Sequence, residues 1–424
     1  MIESNVSESA ASGPASGYYT QGVAYYTKLI DIPQEWEQEA VYLHFDGIMM
    51  NATVDINGCK AILQHNGYIP FSVNITPYLY FGKKNRVTIT VAPSMQPNSR
   101  WYSGAGIFRS IELLHMPKLH IASDGIFGYT KSIEYDTLGN PVCAYLHTEV
   151  ELQNETLENK MALVEVFLTK DGSDEVLLSR KQKIQINPNT TDTAYLNLTL
   201  ENPELWDVEN PNLYKLHARV TDLGVFKTHF VPSEKNTTDE TSVLFGVKTI
   251  TADVKHGLRI NGKTVKLKGG CIHHDNGLLG ACAYEFAERR KIRILLDAGY
   301  NAIRSAHNPC SKALLRACDE MGMLVMDEYI DGWYIHKTKY DYADEILDNY
   351  RKDLKDMVDK DYNHPSVIMY STGNEVSETA QKKGIALTKS LTDRLHELDS
   401  TRPVSCGINI FFNFLSSMGF WGVQ

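Results

Sequence analysis

The sequence predicts a multidomain β plus α/β chain: two β-sandwiches followed by an α/β unit built on a parallel sheet. Three observations carry this reading. Residues 18–119 alternate apolar and polar side chains with period two, residues 121–245 do so again, and from about residue 255 strand and helix patterns alternate. The 424 residues leave room for two to three domains of about 150 residues each. The expected boundaries are 1–120, 121–250 and 251–424.

In the first stretch, Val41–Asp46, Ala52–Gly58 and Arg86–Val91 read as short strands. Val54 and Ile56 share one face, Asp55 and Asn57 the other, and Asn57-Gly58 has the composition of a two-residue hairpin turn. In the second stretch, strands are expected over Cys143–Leu152, Ala162–Thr169, Ala194–Leu200 and Leu213–Val220, in a stretch of immunoglobulin size. In the third, strands are expected near Val265–Ile272, Ala302–Ser305, Leu324–Glu328, Ser366–Ser371 and Val404–Ile408. Helices fall between them, over Tyr284–Ala298, Ser311–Met321, Ala343–Lys360 and Glu378–Leu398. Apolar strands separated by helices imply a parallel sheet buried on both faces.

Composition narrows the function. Hydrophobic residues make up 43%, charged residues 22%, and the net charge is −10. This is a folded-protein composition, and no Lys/Arg cluster offers a nucleic-acid footprint. No run of 18 apolar residues is present, so no membrane helix is expected. Met1–Gly17 lacks the basic and apolar regions of a signal peptide. Seven cysteines at scattered spacings, without a Cys-x-x-Cys pair, suit neither a disulfide framework nor a zinc site. A reducing cytoplasm is the expected compartment.

The chemistry-bearing residues of the third stretch stand at predicted strand ends. The first strand runs into His273-His274-Asp275, the second into Arg304-Ser305-Ala306-His307-Asn308, the third ends at Asp327-Glu328, and the fourth leads to Asn374-Glu375. In a (β/α)8 barrel these C-terminal ends converge on one face and build the active site. Each group also has a structural reading. His273 or His307 alone could be a paired core imidazole, Arg304 could neutralise a buried carboxylate, and Asp327 and Glu328 could form ion pairs. Glu375 follows the apolar run Val367–Tyr370, and a carboxyl in a desolvated mouth there suits a general acid. Asn374 beside it suits a hydroxyl-rich ligand. Tyr329, Trp333 and Tyr334 offer either a stacking floor for a sugar or core packing.

At these residues the sequence resembles glycoside hydrolase family 2, the family of β-galactosidases, β-glucuronidases and β-mannosidases. Asn301–Pro309 resembles its N-x-x-R-x-x-H-x-P signature, and Asn363–Glu375 its N-H-P-S…G-N-E signature, with Tyr370 where Trp is usual. Leu267–Asp275 and Met326–Glu328 resemble the first and third barrel strands. In the N-terminal half, Gln96–Arg109 resembles the jelly-roll signature, and Asn202–Trp206 with Asn210–Tyr214 the end of the immunoglobulin-like domain.

The resemblance implies a jelly-roll sandwich, an immunoglobulin-like sandwich and a partial (β/α)8 TIM barrel. It makes Glu375 the general acid/base of a retaining glycosidase, has Asn374 bind the sugar 2-hydroxyl, and lines the glycone pocket with His273, His307 and Arg304. Asp275 is a further candidate for a sugar hydroxyl. The residues themselves define no metal site; Mg²⁺ is the cofactor that some relatives use, with Asp331 or Glu328 as oxygen ligands here. The expected partner is a β-linked oligosaccharide or glycoside, with no nucleic acid and no membrane, and the sandwich faces admit a homo-oligomer.

Only five of eight barrel strands are expected, and no residue matches the family's nucleophile on the seventh. Ile410–Leu415 with Phe420-Trp421 forms an apolar tail with no later segment to cover it. The expectation is the N-terminal part of a longer glycosidase. As an alternative source of the second carboxylate, Glu328 and Glu375 lie on adjacent strands and could stand about 5–5.5 Å apart as a retaining pair. β-Galactosidase is the leading reading, from the His-His-Asp run and the Gly277–Ala281 loop. The alternatives are β-glucuronidase and a non-catalytic carbohydrate-binding or assembly fragment.

Overall fold

A computed structural model describes residues 6–20, 22–93, 95–225 and 237–418. In the first sandwich, one antiparallel sheet orders the strands Ala24–Ile32, Lys83–Val91, Ala52–Ile56 and Cys59–Gln64. The facing sheet orders Phe71–Asn74, Ala40–Phe45 and Ile111–Met116. Period-two alternation does what it predicts: Val54 and Ile56 are fully buried beside Val41, Phe45 and Ile89, while Thr53 and Asp55 are half-buried. Asn57 and Gly58 have φ of 53° and 88°, the left-handed pair that a tight hairpin needs.

The second sandwich packs three strands, Leu119–Tyr135, Pro141–Asn154 and Thr190–Glu201, on four, Val176–Ile186, Lys160–Lys170, Tyr214–Val225 and Thr237–Phe245. The four expected strands are present and longer than expected. Three further strands were not expected, Thr237–Phe245 among them, and the other two escaped the pattern for identifiable reasons. Val176–Ile186 is an edge strand with mostly exposed, polar side chains. Leu119–Tyr135 changes register between Ile121 and Ile126, a bulge that interrupts the alternation.

The third unit is a parallel sheet in sequential order: β1 (Gly269–Ile272), β2 (Ala302–Ser305), β3 (Leu324–Glu328), β4 (Val367–Ser371) and β5 (Val404–Ser405). Helices α1 (Glu285–Asp297), α2 (Lys312–Met321), α3 (Ile346–Asp361) and α4 (Lys382–Leu398) connect them, and α5 (Ile410–Ser417) follows β5. The core joins Ile303, Val325 and Val367 of the strands to Leu314, Leu354, Met357 and Leu391 of the helices. Ser311 caps α2, its Oγ accepting from Leu314 N at 3.1 Å, and Gly322 closes it at φ 76°.

Four boundaries differ from expectation. β1 starts at Gly269 because Lys263–Thr264 pairs instead in a small antiparallel sheet with Gly257–Ile260 and Ile250–Asp253. β5 ends at Ser405, since only Val404 and Ser405 pair with β4. α3 and α4 each start later than expected, after single 3₁₀ turns at Tyr342–Asp344 and Glu378–Ala380. In α5, Ile410 and Phe414 are exposed. Among the described residues, no helix is long and apolar enough to cross a membrane.

Two buried joints fix the sandwiches to the barrel. Arg109 of the first sandwich donates through Nη1 to Tyr68 O (2.8 Å) and Cys310 O (3.4 Å), and through Nη2 to Pro309 O (2.8 Å). At the second joint, Trp206 Nε1 donates to Asp319 O at 2.8 Å, and Asn363 exchanges hydrogen bonds with Ile126 O (2.6 Å) and Gly128 N (2.9 Å). His364 Nδ1 and Ser366 N both donate to the Asp319 carboxylate, at 2.5 and 3.0 Å.

Candidate active site

The strand ends of β2 to β4 converge on one carboxylate. Glu328, at the end of β3, is fully buried. Its Oε2 accepts from Arg304 Nε (3.0 Å), Arg304 Nη2 (2.6 Å) and Ser371 Oγ (2.6 Å), and its Oε1 accepts from His307 Nδ1 (2.6 Å). Arg304 Nη2 reaches on to Asn374 Oδ1 at 3.0 Å, and Asn374 Nδ2 donates to Asp331 Oδ1 at 2.9 Å. Three predicted site residues, Arg304, His307 and Asn374, are thus tied into one network. Glu328 holds the network together, with both of its oxygens accepting hydrogen bonds.

Asp327 keeps the structural role foreseen for it. Burial alone would raise its carboxyl, but Lys360 at 3.3 Å, Asp361, Ser305 Oγ (2.7 Å) and Cys310 N (2.9 Å) together draw it down to about 2.

Glu375 stands just beyond β4 with φ 44°. The turn that carries it is tight: Gly407 N donates to Gly373 O at 2.8 Å, and a Cβ on Gly407 would lie 2.9 Å from that oxygen and 3.0 Å from Arg304 Nη2. The expected desolvated mouth is not what surrounds Glu375. Its side chain is 42% exposed, and Arg100 Nη1 of the first sandwich donates to its Oε2 at 3.3 Å. The Arg100 contact comes from a loop of another domain, which periodicity within the barrel cannot foresee.

The same loop reorganises the rest of the mouth. Arg100 Nη2 donates to Asp331 Oδ1 at 2.8 Å, and Lys337 Nζ donates to that oxygen at 3.1 Å. Burial would raise the Asp331 carboxyl, but Lys337, Arg100 and Asn374 hold it below the usual range. The Trp101 ring lies 5.0 Å from His273 and 5.1 Å from His307, whose own centroids are 5.5 Å apart. Burial and the neighbouring His307 depress His273, which is therefore neutral at pH 7.

Asp275 is exposed beyond β1 and joins none of these hydrogen bonds through its side chain among the described residues. His274 turns away, donating from Nε2 to Asn308 O at 3.0 Å, and burial with Arg109 nearby pushes it down to about 3. The expected stacking floor is also corrected. Tyr329 and Trp333 are fully buried in the core, Trp333 Nε1 donating to Thr372 O at 2.9 Å, and half-buried Tyr334 lies under Lys383 Nζ, whereas the Trp101 ring stands beside His273 and His307.

Sequence reasoning missed Arg100, Trp101 and Lys337 as site residues. The first two lay inside the Gln96–Arg109 signature, which was the available signal. Lys337 sits in an irregular segment with no pattern to mark it.

The residues do not fit Mg²⁺. Among the described residues no group of three or more His, Cys, Asp or Glu side chains could hold a metal ion. The two proposed oxygen ligands already serve protein cations, Glu328 with Arg304 and Asp331 with Arg100 and Lys337.

These features stand on a sandwich–sandwich–barrel scaffold. Family models match in the same order: the sugar binding domain of glycosyl hydrolases family 2 over residues 2–117, a further glycosyl hydrolases family 2 model over 133–247, and the TIM barrel domain over 253–417. The chain belongs to glycosyl hydrolase family 2. It is 33% identical over 440 residues to beta-galactosidase BoGH2A of Bacteroides ovatus, covering 96% of this chain and 50% of that protein. It is 31% identical to a putative beta-glucuronidase of Formosa agariphila, covering 92% of this chain and 35% of that one. Among solved structures, a family 2 member from Bacteroides cellulosilyticus superposes with TM-score 0.90 at 34% identity, over 98% of this chain and 52% of that chain. The chain spans half or less of the length of these two curated relatives.

Proposed function

We propose that this chain carries the acid/base side of a retaining β-glycosidase site directed at terminal β-galactosides. One observation supports this most directly: of the four carboxylates gathered at the ends of β3 and β4, Glu375 alone is half-exposed with a single long contact, to Arg100. Asp327, Glu328 and Asp331 are each held by two or more donors. In this reading Glu375 gives its proton to the departing glycosidic oxygen and later takes one from water. Asn374, His307, His273 and Arg304 line the glycone pocket, with Asp275 at its rim. The second carboxylate would come from outside the described residues.

A local charge balance favours galactose over glucuronate. Arg304 is matched by Glu328, and Arg100 and Lys337 by Asp331 and Glu375. Among the described residues the mouth therefore offers no surplus cation to a uronate carboxylate, whereas neutral hydroxyls need none. The likeness to a protein named beta-galactosidase at 33% identity supports the same choice. The β-glucuronidase reading keeps the support of the Formosa relative's name.

The test is hydrolysis of aryl β-galactoside, β-glucuronide, β-mannoside and β-glucoside by the chain and by Glu375→Gln. Turnover of the galactoside, abolished in the variant, is expected wherever the second carboxylate is in place. Galactoside turnover unchanged in Glu375→Gln would refute the assignment.

A further inference from the structure

Lys337 sits in an oxygen cage at the site mouth. Its Nζ donates to Asn374 O at 2.5 Å, Asp331 O at 2.7 Å and Asp331 Oδ1 at 3.1 Å. Two of these acceptors are main-chain carbonyls and the third is a carboxylate, a donor set that hard cations prefer. Arg100 Nη2 shares Asp331 Oδ1 at 2.8 Å and its Nη1 covers Glu375 Oε2 at 3.3 Å. Asn374 Nδ2 is the remaining donor on Asp331 Oδ1, at 2.9 Å.

We propose that Lys337 and Arg100 are tethered cations that stand where a metal ion would otherwise bind, making the acid/base side of this site independent of metal. The charges already cancel: two cations face Asp331 and Glu375. A divalent ion placed among these oxygens would bring two uncompensated positive charges within a few ångströms of an ammonium and a guanidinium. Even at an effective dielectric of about 20, each such repulsion at about 4 Å is several kcal/mol. Lys337 does what a bound ion does, drawing the Asp331 main chain to the carbonyl of Asn374, the residue next to Glu375. Arg100 gives the first sandwich a hand in placing Glu375 itself. Both are positioning residues.

The cage also says which ion would replace the lysine. Two main-chain carbonyls and a carboxylate oxygen in an irregular arrangement suit Ca²⁺, which accepts flexible geometry and about 6–8 oxygens, better than Mg²⁺, which demands a near-ideal octahedron.

The inference deepens the reading of Glu375, but its test reads metal binding and not hydrolysis, so the two can fail separately. Calorimetric titration of the full chain with CaCl2 and with MgCl2 is expected to show no saturable site that Asp331→Asn removes. Lys337→Ala is expected to gain one Ca²⁺ site, to melt at higher temperature when Ca²⁺ is added, and to lose both effects when Asp331→Asn is added. Lys337→Arg should gain no site. Stoichiometric binding by the unaltered chain that Asp331→Asn abolishes would overturn the proposal, and needs no folded variant of Lys337. So would a folded Lys337→Ala that gains no calcium site.

Discussion

At the scale of single residues, Glu328 and Trp101 separate support from contact. Glu328 has no exposed surface and four donors on its two oxygens. Replacing it with Gln removes the charge partner of Arg304 and turns one acceptor into a donor facing other donors. Breaking a buried pair costs about 3–5 kcal/mol; with Arg304 partly exposed, we expect a loss near the lower end, about 3 kcal/mol, in chemical denaturation. A loss below about 1 kcal/mol would mean the network is not what holds β2 to β4 at the mouth. Trp101 faces the pocket instead. Trp101→Ala should leave the melting temperature nearly unchanged and weaken sugar binding about five- to tenfold by calorimetry, the equivalent of about 1 kcal/mol of stacking. The residue names of the site were legible in sequence: Arg304, His307 and Asn374 do meet. What joins them was legible only as an ion-pair alternative, because a buried acid and a catalytic one look alike in a string of letters.

At the scale of elements, the barrel strands were easier to place than their ends. β2 and β3 match their expected ranges, since each is a short apolar run closed by a polar group. α3 and α4 start late because a 3₁₀ turn continues the helical spacing of apolar residues without the α-helical hydrogen bonds. α3 also carries a pH-sensitive acid. Burial raises Asp359 to about 7 in spite of Lys355 at 2.5 Å and with Asp356 nearby. A carboxyl raised on folding adds stability that is full below its unfolded value near 4 and is lost as pH rises through about 7. Asp359→Asn should therefore flatten the fall in melting temperature between about pH 4 and 7 and raise it at alkaline pH. An unchanged pH profile would show that Asp359 is solvated in the folded protein. Asp327 runs the other way: held down to about 2, it contributes stability that is lost as pH drops from near 4 toward 2.

At the scale of the whole molecule, the site belongs to the contact between domains. The family signatures divide accordingly. Asn363 joins the second sandwich and His364 braces Asp319, the residue that Trp206 reaches, while Asn374 and Glu375, a few residues on, form the mouth. Arg109 and Arg100 belong to one loop region of the first sandwich, the first a buried bolt and the second a site residue. Sequence patterns report periodicity within an element and are silent on which loop of one domain will land on another; that is why Arg100, Trp101 and Lys337 went unseen. Arg109→Met would leave Tyr68 O, Pro309 O and Cys310 O without their donor, at about 1–3 kcal/mol for each buried group. Amide exchange should then rise together in the 66–69, 96–105 and 305–310 segments, and sugar affinity should fall although no sugar-contacting residue has changed. Exchange rising in one segment alone would mean the sandwich and barrel do not act as one unit.

The central claim is that the described mouth is a charge-balanced pocket for a neutral sugar, centred on Glu375. Calorimetric titration of the chain with D-galactose and with D-glucuronate at pH 7 tests it most directly. The account predicts that galactose binds, that glucuronate binds at least about tenfold more weakly, a gap of about 1.4 kcal/mol or more, and that Asn374→Ala weakens galactose. Tighter binding of glucuronate would contradict it.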